Sequence, residues 1–450
     1  MELFGTAGIR GSARDRVTPS LALAVGRAAG DEHDEFVVGR DGRETGPALA
    51  AALEAGLESA GATVYRAGQL PTPALAFAAQ GRHGVMITAS HNPPQDNGLK
   101  LFCDGVEYDR DAERRIEQRV EAGQSPLDWD EWGVASTSEP LSAYRKAVCE
   151  YGTSMGAPLD GLKVVVDCGN GMAALATPYV LRELGAHVVT LNGNVDGHFP
   201  GRESKPTPET LADLRAFLAD GDFAFGIGHD GDADRAVFLD GNGEVVHEDT
   251  IVAIFAEHYV RTSDAEDPVV VTTPNASARI DERVRDAGGR VERIRLGALH
   301  EGIETALENG TEGTRVVFAA EPWKHIHTQF GGWIDGPASA AVFARLVAAH
   351  GLSALREPVT ERPYRKVSTE CPDDRKEAAM AELETALPAA FPDATVSTEY
   401  GVRLEREDGS WVLVRPSGTE PYVRVYAESA DVDTLVSTVI EIVKTAVVKR

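Results

Sequence analysis

Arg182-Glu183-Leu184-Gly185-Ala186-His187-Val188 runs from a helix-like stretch through a glycine into a valine. Glycine suits the left-handed turn that closes a helix, and valine suits the start of a strand. The pattern returns as Glu58-Ser59-Ala60-Gly61-Ala62-Thr63-Val64 and as Arg285-Asp286-Ala287-Gly288-Gly289-Arg290-Val291. A spacing of about a hundred residues is one domain length. The recurrence therefore predicts three similar α/β domains.

Apolar runs recur between these points, each followed directly by a polar motif. Phe36-Val37-Val38 leads into Gly39-Arg40-Asp41, and Val85-Met86-Ile87 into Thr88-Ala89-Ser90-His91. Val164-Val165-Val166 leads into Asp167-Cys168-Gly169-Asn170-Gly171, Phe223-Ala224-Phe225-Gly226-Ile227 into Gly228-His229-Asp230, and Val316-Val317-Phe318 into Ala319-Ala320-Glu321. Continuous apolar strands belong to sheets covered on both faces, and ligands of such sheets bind beyond the carboxyl ends of the strands. After 358 the texture changes. Val402 to Glu405, Trp411 to Arg415 and Val423 to Glu428 read as strands, and Val432 to Lys449 as an apolar-periodic helix. The expected division is 1–138, 139–248, 249–358 and a smaller α+β domain at 359–450.

The net charge of −27 argues against general nucleic-acid binding, which needs a basic face, and its even spread resembles a high-salt-adapted surface. No apolar run of about 20 residues predicts a membrane span, and no signal peptide is read at the N-terminus. Four scattered cysteines without a Cys-x-x-Cys pair fit reduced thiols in a cytoplasm.

Asp230-Gly231-Asp232-Ala233-Asp234-Arg235 sets three carboxylates at alternate positions. Close carboxylates repel unless a cation joins them, and hard oxygen ligands favour Mg²⁺ or Ca²⁺. A calcium EF-hand loop needs glycine at its sixth position and glutamate at its twelfth. Arg235 and Gly241 stand there instead. A solvated acidic turn is the plain alternative. Arg415-Pro416-Ser417-Gly418-Thr419-Glu420-Pro421, with Arg424 nearby, joins a guanidinium, hydroxyls and a glycine, the groups a phosphate asks for. A hairpin loop explains the same residues. Phe4-Gly5-Thr6-Ala7-Gly8-Ile9-Arg10-Gly11 is a second glycine-rich loop with an arginine, and a tight turn accounts for it equally well.

Thr88-Ala89-Ser90-His91-Asn92-Pro93-Pro94-Gln95-Asp96-Asn97-Gly98-Leu99-Lys100 reads as one polar loop. Serine is a poor nucleophile unless a base or metal activates it. His91 and Lys100 are candidates for proton transfer, and the Gly-x-Ser-x-Gly elbow of esterases is missing. A proline turn explains the loop by itself. A serine carrying a phosphoryl group beside Mg²⁺ and arginines fits the whole inventory.

Phe4–Gly11, Thr88–Lys100, Asp230–Arg235 and Arg415–Arg424, in this order, resemble the α-D-phosphohexomutase family. That resemblance implies three related α/β domains plus a smaller C-terminal one. It implies a phosphoserine at Ser90, with Ser90, Asp230, Asp232 and Asp234 holding Mg²⁺. Arg10, His91, Lys100 and Arg235 would surround the transfer, and Arg415, Ser417, Gly418, Thr419 and Arg424 would hold the other phosphate. A hexose bisphosphate would be intermediate and activator, reorienting within the site, and a hinged fourth domain would allow the turn. The implied reaction interconverts hexose 1- and 6-phosphates.

The family's sugar-recognition pattern, Gly-Glu-x-Ser-Gly-His, stands here as Ala320-Glu321-Pro322-Trp323-Lys324-His325. Glu321, Lys324 and His325 are the expected sugar contacts, with the Trp323 ring expected to alter hydroxyl recognition. Leu296-Gly297-Ala298-Leu299 also lacks the His or Asp that often follows that glycine. Glucose and mannose phosphates come first as substrates, glucosamine phosphate next. A metal-assisted serine phosphatase and a non-catalytic phosphosugar-binding protein are the rivals of other classes. The expected partner is a phosphosugar alone, with the chain a monomer or weak homo-oligomer.

Overall fold

The computed structural model describes residues 3–5, 8–30, 35–417 and 420–448. Thr6 and Ala7 of the first glycine-rich loop, and Gly418 and Thr419 of the expected phosphate grip, lie outside the described residues. Two compact units emerge: Met1–Glu248 with Trp323–Leu355, and Asp249–Pro322 with Arg356–Arg450.

The first unit holds two sheets. In one, the strand Glu35–Arg40 pairs in parallel with Thr63–Gln69 and with His83–Ile87. Asp96–Cys103 returns antiparallel to His83–Ile87, and Ile9–Ser12 lies antiparallel beyond it. The other sheet runs Ala236–Asp240, Phe225–His229, Lys163–Asp167, His187–Leu191, with only the first pair antiparallel. Val164, Val165 and Val166 are fully buried, as expected of a β-branched run covered on both faces.

The repeated glycines do what their spacing predicts. Gly61, Gly185 and Gly288 have φ of +93°, +106° and +95°. Each follows a helix (Gly46–Ser59, Thr177–Glu183, Ala278–Asp286) and precedes a strand (Thr63–Gln69, His187–Leu191, Arg290–Arg293). A side chain there would be strained by the left-handed backbone. The architecture is three related α/β domains and a smaller α+β domain.

Two features depart from the sequence expectation. The polar stretch from Thr88 to Lys100 is not one loop, because Asp96–Cys103 is a strand and Lys100 sits within it opposite Met86. The helix Gly336–His350 falls within the expected third domain by sequence but packs with the first unit. Its Phe343 ring lies 5.0 Å from Phe225 and 4.3 Å from Phe238, and Arg345 Nε donates to Met155 O at 2.7 Å. Aromatic burial against the second sheet outweighs chain proximity.

In the second unit, Asp267–Thr272 pairs in parallel with Arg290–Arg293 and with Thr314–Glu321. The last domain is an antiparallel five-stranded sheet in the order Tyr364–Glu370, Tyr422–Glu428, Trp411–Pro416, Val402–Glu405, Thr395–Ser397. Helices Asp373–Ala390 and Val432–Val448 join its apolar core. Trp411, Leu413 and Tyr426 pack instead against Ala278 of the preceding domain. Arg279 and Glu428 form a buried pair there at 2.8 Å, and Trp411 Nε1 donates to the same carboxylate at 2.9 Å. Among the described residues no helix is long and apolar enough to cross a membrane.

Removing one partner of a buried pair strands the other charge, at a cost of about 3–5 kcal/mol. Glu428→Ala should therefore lower the unfolding free energy by about 3–5 kcal/mol and bring the urea midpoint down with it. An unchanged midpoint in urea unfolding would show that the pair does not hold these two domains together.

Candidate active site

Ser90 is presented at the tip of the hairpin made by His83–Ile87 and Asp96–Cys103. Its backbone is left-handed, with φ +52°, a conformation that a serine keeps only where its surroundings enforce it. The enforcement comes from Arg43, a fully buried residue that belongs to none of the motifs read from the sequence. Its guanidinium donates to Ser90 O at 2.9 Å, Asn92 O at 2.7 Å, Pro93 O at 2.5 Å and Asp96 O at 2.9 Å. Asp41 holds Arg43 Nε at 3.0 Å and accepts from Thr88 Oγ1 at 2.7 Å; Thr88 Oγ1 accepts from Ser90 N at 2.9 Å. Phe199 lies under the guanidinium, 5.1 Å from its ring centre.

The acidic loop follows the strand Phe225–His229, from the neighbouring domain of the same unit. Gly231 abuts the serine loop, where a Cβ would lie 2.6 Å from Ser90 O. Ser90 Oγ donates to Asp230 Oδ2 at 2.8 Å, and His91 Nδ1 lies 3.3 Å from Ser90 Oγ. Thr72 fixes Asp232 twice, through Oγ1 to Oδ2 at 2.6 Å and through its N–H to Asp232 O at 3.0 Å. Lys100 Nζ reaches Asp234 Oδ2 at 2.7 Å and Asp232 Oδ2 at 3.3 Å. Arg235 Nε stands 3.7 Å from Asp230 and 3.8 Å from Asp234. Arg10 is carried on the strand Ile9–Ser12, opposite Gly98.

These charges divide the carboxylates. Burial, reinforced by the charges of Asp234 and Asp232, pushes the Asp230 carboxyl well above the usual range. Burial also opposes the charge of Asp234, but Lys100 and Arg235 outweigh it and hold that carboxyl below its ordinary range. Lys100 is likewise opposed by burial, yet Asp232 and Asp234 hold its ammonium above the usual lysine value. His91 is pushed down to about 3, by burial first and then by Arg235 and Arg10, and is a neutral imidazole at physiological pH.

One ligand atom from each of Asp230, Asp232 and Asp234 fits within 4.8 Å, and all three residues are buried. Asp232 Oδ1 and Asp234 Oδ1 are buried oxygens without a hydrogen-bond partner. An all-oxygen trio with unsatisfied acceptors fits a hard divalent cation, Mg²⁺ above all. Arg10 Nε and Arg235 Nε are buried donors without a partner, which suits an anion beside that cation.

Lys324 and His325 open the strand Lys324–Ile326. Lys324 bridges to Arg235 in antiparallel fashion. His325 is buried, its Nδ1 3.0 Å from Ser339 Oγ, while His327 Nε2 lies 2.9 Å from the same hydroxyl. The Trp323 ring packs with the cluster of Val165, Leu211, Leu214, Leu218, Val237 and Leu239. The ring is half-buried against that core.

The remaining expected residues lie in the second unit. Glu321 accepts from Gly297 N, joining the two stretches that depart from the family pattern. Arg415 and Arg424 are direct cross-strand partners. Arg415 Nη2 donates to Tyr426 Oη at 3.0 Å, its Nε is buried without a partner, and Arg424 pairs with Glu420. Ser417 N donates to Tyr422 O at 2.8 Å. Lys376, which the sequence did not flag, donates to Ser417 O at 2.6 Å and Glu420 O at 2.7 Å, bracing the loop from the helix Asp373–Ala390.

Three family models match the chain. The phosphoglucomutase/phosphomannomutase alpha/beta/alpha domain I covers residues 1–126, domain II 143–243, and the C-terminal domain 367–444. The chain is 41% identical over 439 residues to a phosphopentomutase of Thermococcus kodakarensis, covering 95% of this chain and 94% of that protein. It is also 41% identical over 439 residues to a probable phosphoglucosamine mutase of Methanopyrus kandleri, covering 95% and 93%. A solved phosphoglucomutase/phosphomannomutase family protein of Burkholderia thailandensis superposes with a TM-score of 0.85 at 26% identity, covering 98% of this chain and 96% of that one.

A cation held by the trio stabilises the folded state by mass action, about 2.7 kcal/mol at a hundredfold excess over its dissociation constant. Mg²⁺ should raise the melting temperature of the unsubstituted protein, and Asp232→Asn should abolish the increase. Equal protection of both proteins in calorimetry would place the cation elsewhere.

Proposed function

The chain belongs to the α-D-phosphohexomutase family, a family of phosphotransferase isomerases, and we propose that Ser90 carries the phosphoryl group that this enzyme moves. The observation that carries this reading is the contact of Ser90 Oγ with Asp230 inside a buried carboxylate trio flanked by partnerless arginine donors. Mg²⁺ held by Asp230, Asp232 and Asp234, with Ser90, would neutralise the charge on the phosphoryl oxygens.

The P–O bond to Ser90 Oγ breaks as a sugar hydroxyl oxygen bonds to phosphorus, giving a sugar bisphosphate. The attacking hydroxyl loses a proton and Ser90 Oγ gains one. In the second half the sugar's other phosphoryl returns to Ser90, and the hydroxyl it leaves recovers a proton. Lys100, joined to Asp232 and Asp234, and His91, whose Nδ1 lies 3.3 Å from Ser90 Oγ, are the candidates for these proton transfers. Arg10 and Arg235 offer directed charge to the phosphoryl in transit. Phosphoryl transfer depends mainly on such positioning and charge stabilisation.

The grip of Arg415, Ser417, Gly418, Thr419 and Arg424 holds the phosphate that is not being transferred. Arg415 Nε is buried without a hydrogen-bond partner, beside Arg424 on the adjacent strand, which supports that role. A phosphatase has no need of a second phosphate site, and a mere sensor has no need of Ser90 against Asp230. Glu321 is assigned to the sugar hydroxyls.

Glucosamine 1- and 6-phosphate are the best-supported substrates, displacing glucose and mannose phosphates from first place. Several relatives at 34–41% identity over nearly the whole chain bear the name probable phosphoglucosamine mutase. A pentose phosphate is the second reading, favoured by the Thermococcus kodakarensis relative.

A coupled assay with glucosamine, glucose, mannose and ribose phosphates, primed by a trace of bisphosphate, tests this reading. Glucosamine 6-phosphate should give the highest kcat/KM. Ser90→Ala should lose at least about a thousandfold in kcat, as expected for a group that forms the covalent intermediate. Steady release of inorganic phosphate at the mutase rate would favour a phosphatase. Undiminished turnover by Ser90→Ala would remove Ser90 from the reaction.

A further inference from the structure

Trp323 and Lys324 depart together from the family's recognition pattern, and the structure gives them one shared explanation. Trp323 has φ +67°, a strained conformation for a bulky aromatic. Two anchors impose it. The ring packs against the core that includes Leu211, Val237 and Leu239, and the carbonyl accepts from Ala236 N at 3.1 Å. The left-handed residue turns the chain so that Lys324 enters an antiparallel bridge directly opposite Arg235.

Directly opposed residues of an antiparallel pair project from the same face, with Cβ atoms about 5 Å apart, and like charges placed so are destabilising. Arg235 and Lys324 are such a pair. The face they share borders the carboxylate trio, where Arg235 Nε stands 3.7 Å from Asp230 and 3.8 Å from Asp234. The field of Lys324 also reaches Asp234. His325, next along the strand, projects to the opposite side, against Ser339. Arg235 Nε remains a buried donor without a partner. Two cations side by side at the edge of the trio, one with an Nε that makes no hydrogen bond, offer a seat for a phosphoryl group beside the carboxylates.

We propose that Lys324 clamps the phosphoryl group in transit together with Arg235, acting on transfer itself and not on the identity of the sugar. This rests on the reading of Ser90 as phosphoryl carrier. It separates Lys324 from Glu321: the glutamate is left to the sugar, while the lysine joins the charge-stabilising set of Arg10, Arg235 and Lys100.

The test compares K324M and K324R with the unsubstituted enzyme, using glucosamine 6-phosphate, glucose 6-phosphate and ribose 5-phosphate. K324M should lower kcat by about a hundredfold to a thousandfold for every sugar turned over, the range for losing one charge-stabilising donor. Ratios of kcat/KM between sugars should stay within about threefold, and K324R should recover most of the rate. In a single turnover, the phosphoenzyme of K324M should discharge more slowly by the same factor. Unchanged kcat overturns the proposal, as does a shift of about tenfold or more between sugars with kcat kept for one of them. Loss of near-ultraviolet circular dichroism in K324M and K324R alike also overturns it, since Lys324 would then serve the fold. The underlying reading is checked separately on the unsubstituted enzyme. A protein that turns over sugar phosphates without ever carrying phosphate on Ser90 refutes that reading and this inference together.

Discussion

Three buried carboxylates cannot remain charged side by side without cations among them, and the arrangement around Ser90 follows from that constraint. Lys100 supplies one cation from within the strand Asp96–Cys103, reaching Asp232 and Asp234. Arg235 supplies another from the acidic loop itself. Burial, reinforced by the charges of Asp234 and Asp232, still pushes the Asp230 carboxyl well above the usual range, and Asp230 touches Ser90. The site is electrostatically incomplete in a specific way, with spare oxygens for a metal and spare arginine donors for an anion.

Geometry is supplied by groups that perform no chemistry. Arg43 collects four backbone carbonyls of the serine loop, and Lys376 collects two of the loop that includes Ser417. In each case a buried or half-buried cation gathers carbonyl oxygens, so it fixes main chain and not the functional side chains. Arg202 does comparable work at the strand ends of the second domain, joining Asp167 Oδ2 at 2.7 Å to His229 O at 2.7 Å. Such hydrogen bonds to charged donors are worth about 1.5–3 kcal/mol each, enough to keep Ser90 in its left-handed conformation.

Much of this was legible in the sequence because it rests on local chemistry. Apolar runs ending in polar motifs placed Ser90, Asp230, Asp232 and Asp234 at strand ends, and glycines after helices gave the repeated α/β pattern. Arg43 and Lys376 were not legible, since their partners are main-chain carbonyls that carry no sequence signature. Lys100 was placed in a loop because Thr88 to Lys100 is polar and proline-containing, whereas pairing on both edges makes Asp96–Cys103 a central strand. Trp323 was singled out because it replaces a serine of the family's sugar-recognition pattern; the apolar partners its ring finds lie far away in sequence. The helix Gly336–His350 was assigned by chain order, which cannot see Phe343 against Phe225.

The central claim is that Ser90 carries the phosphoryl group from one sugar oxygen to another. Intact-mass measurement of the enzyme before and after incubation with a hexose bisphosphate, with fragment mapping and analysis of the phosphate's destination, tests it most directly. The account predicts one phosphoryl group per chain, located on Ser90 and discharged onto added sugar monophosphate to give bisphosphate. A phosphoryl group on another residue, or one released from Ser90 only as inorganic phosphate, would contradict it.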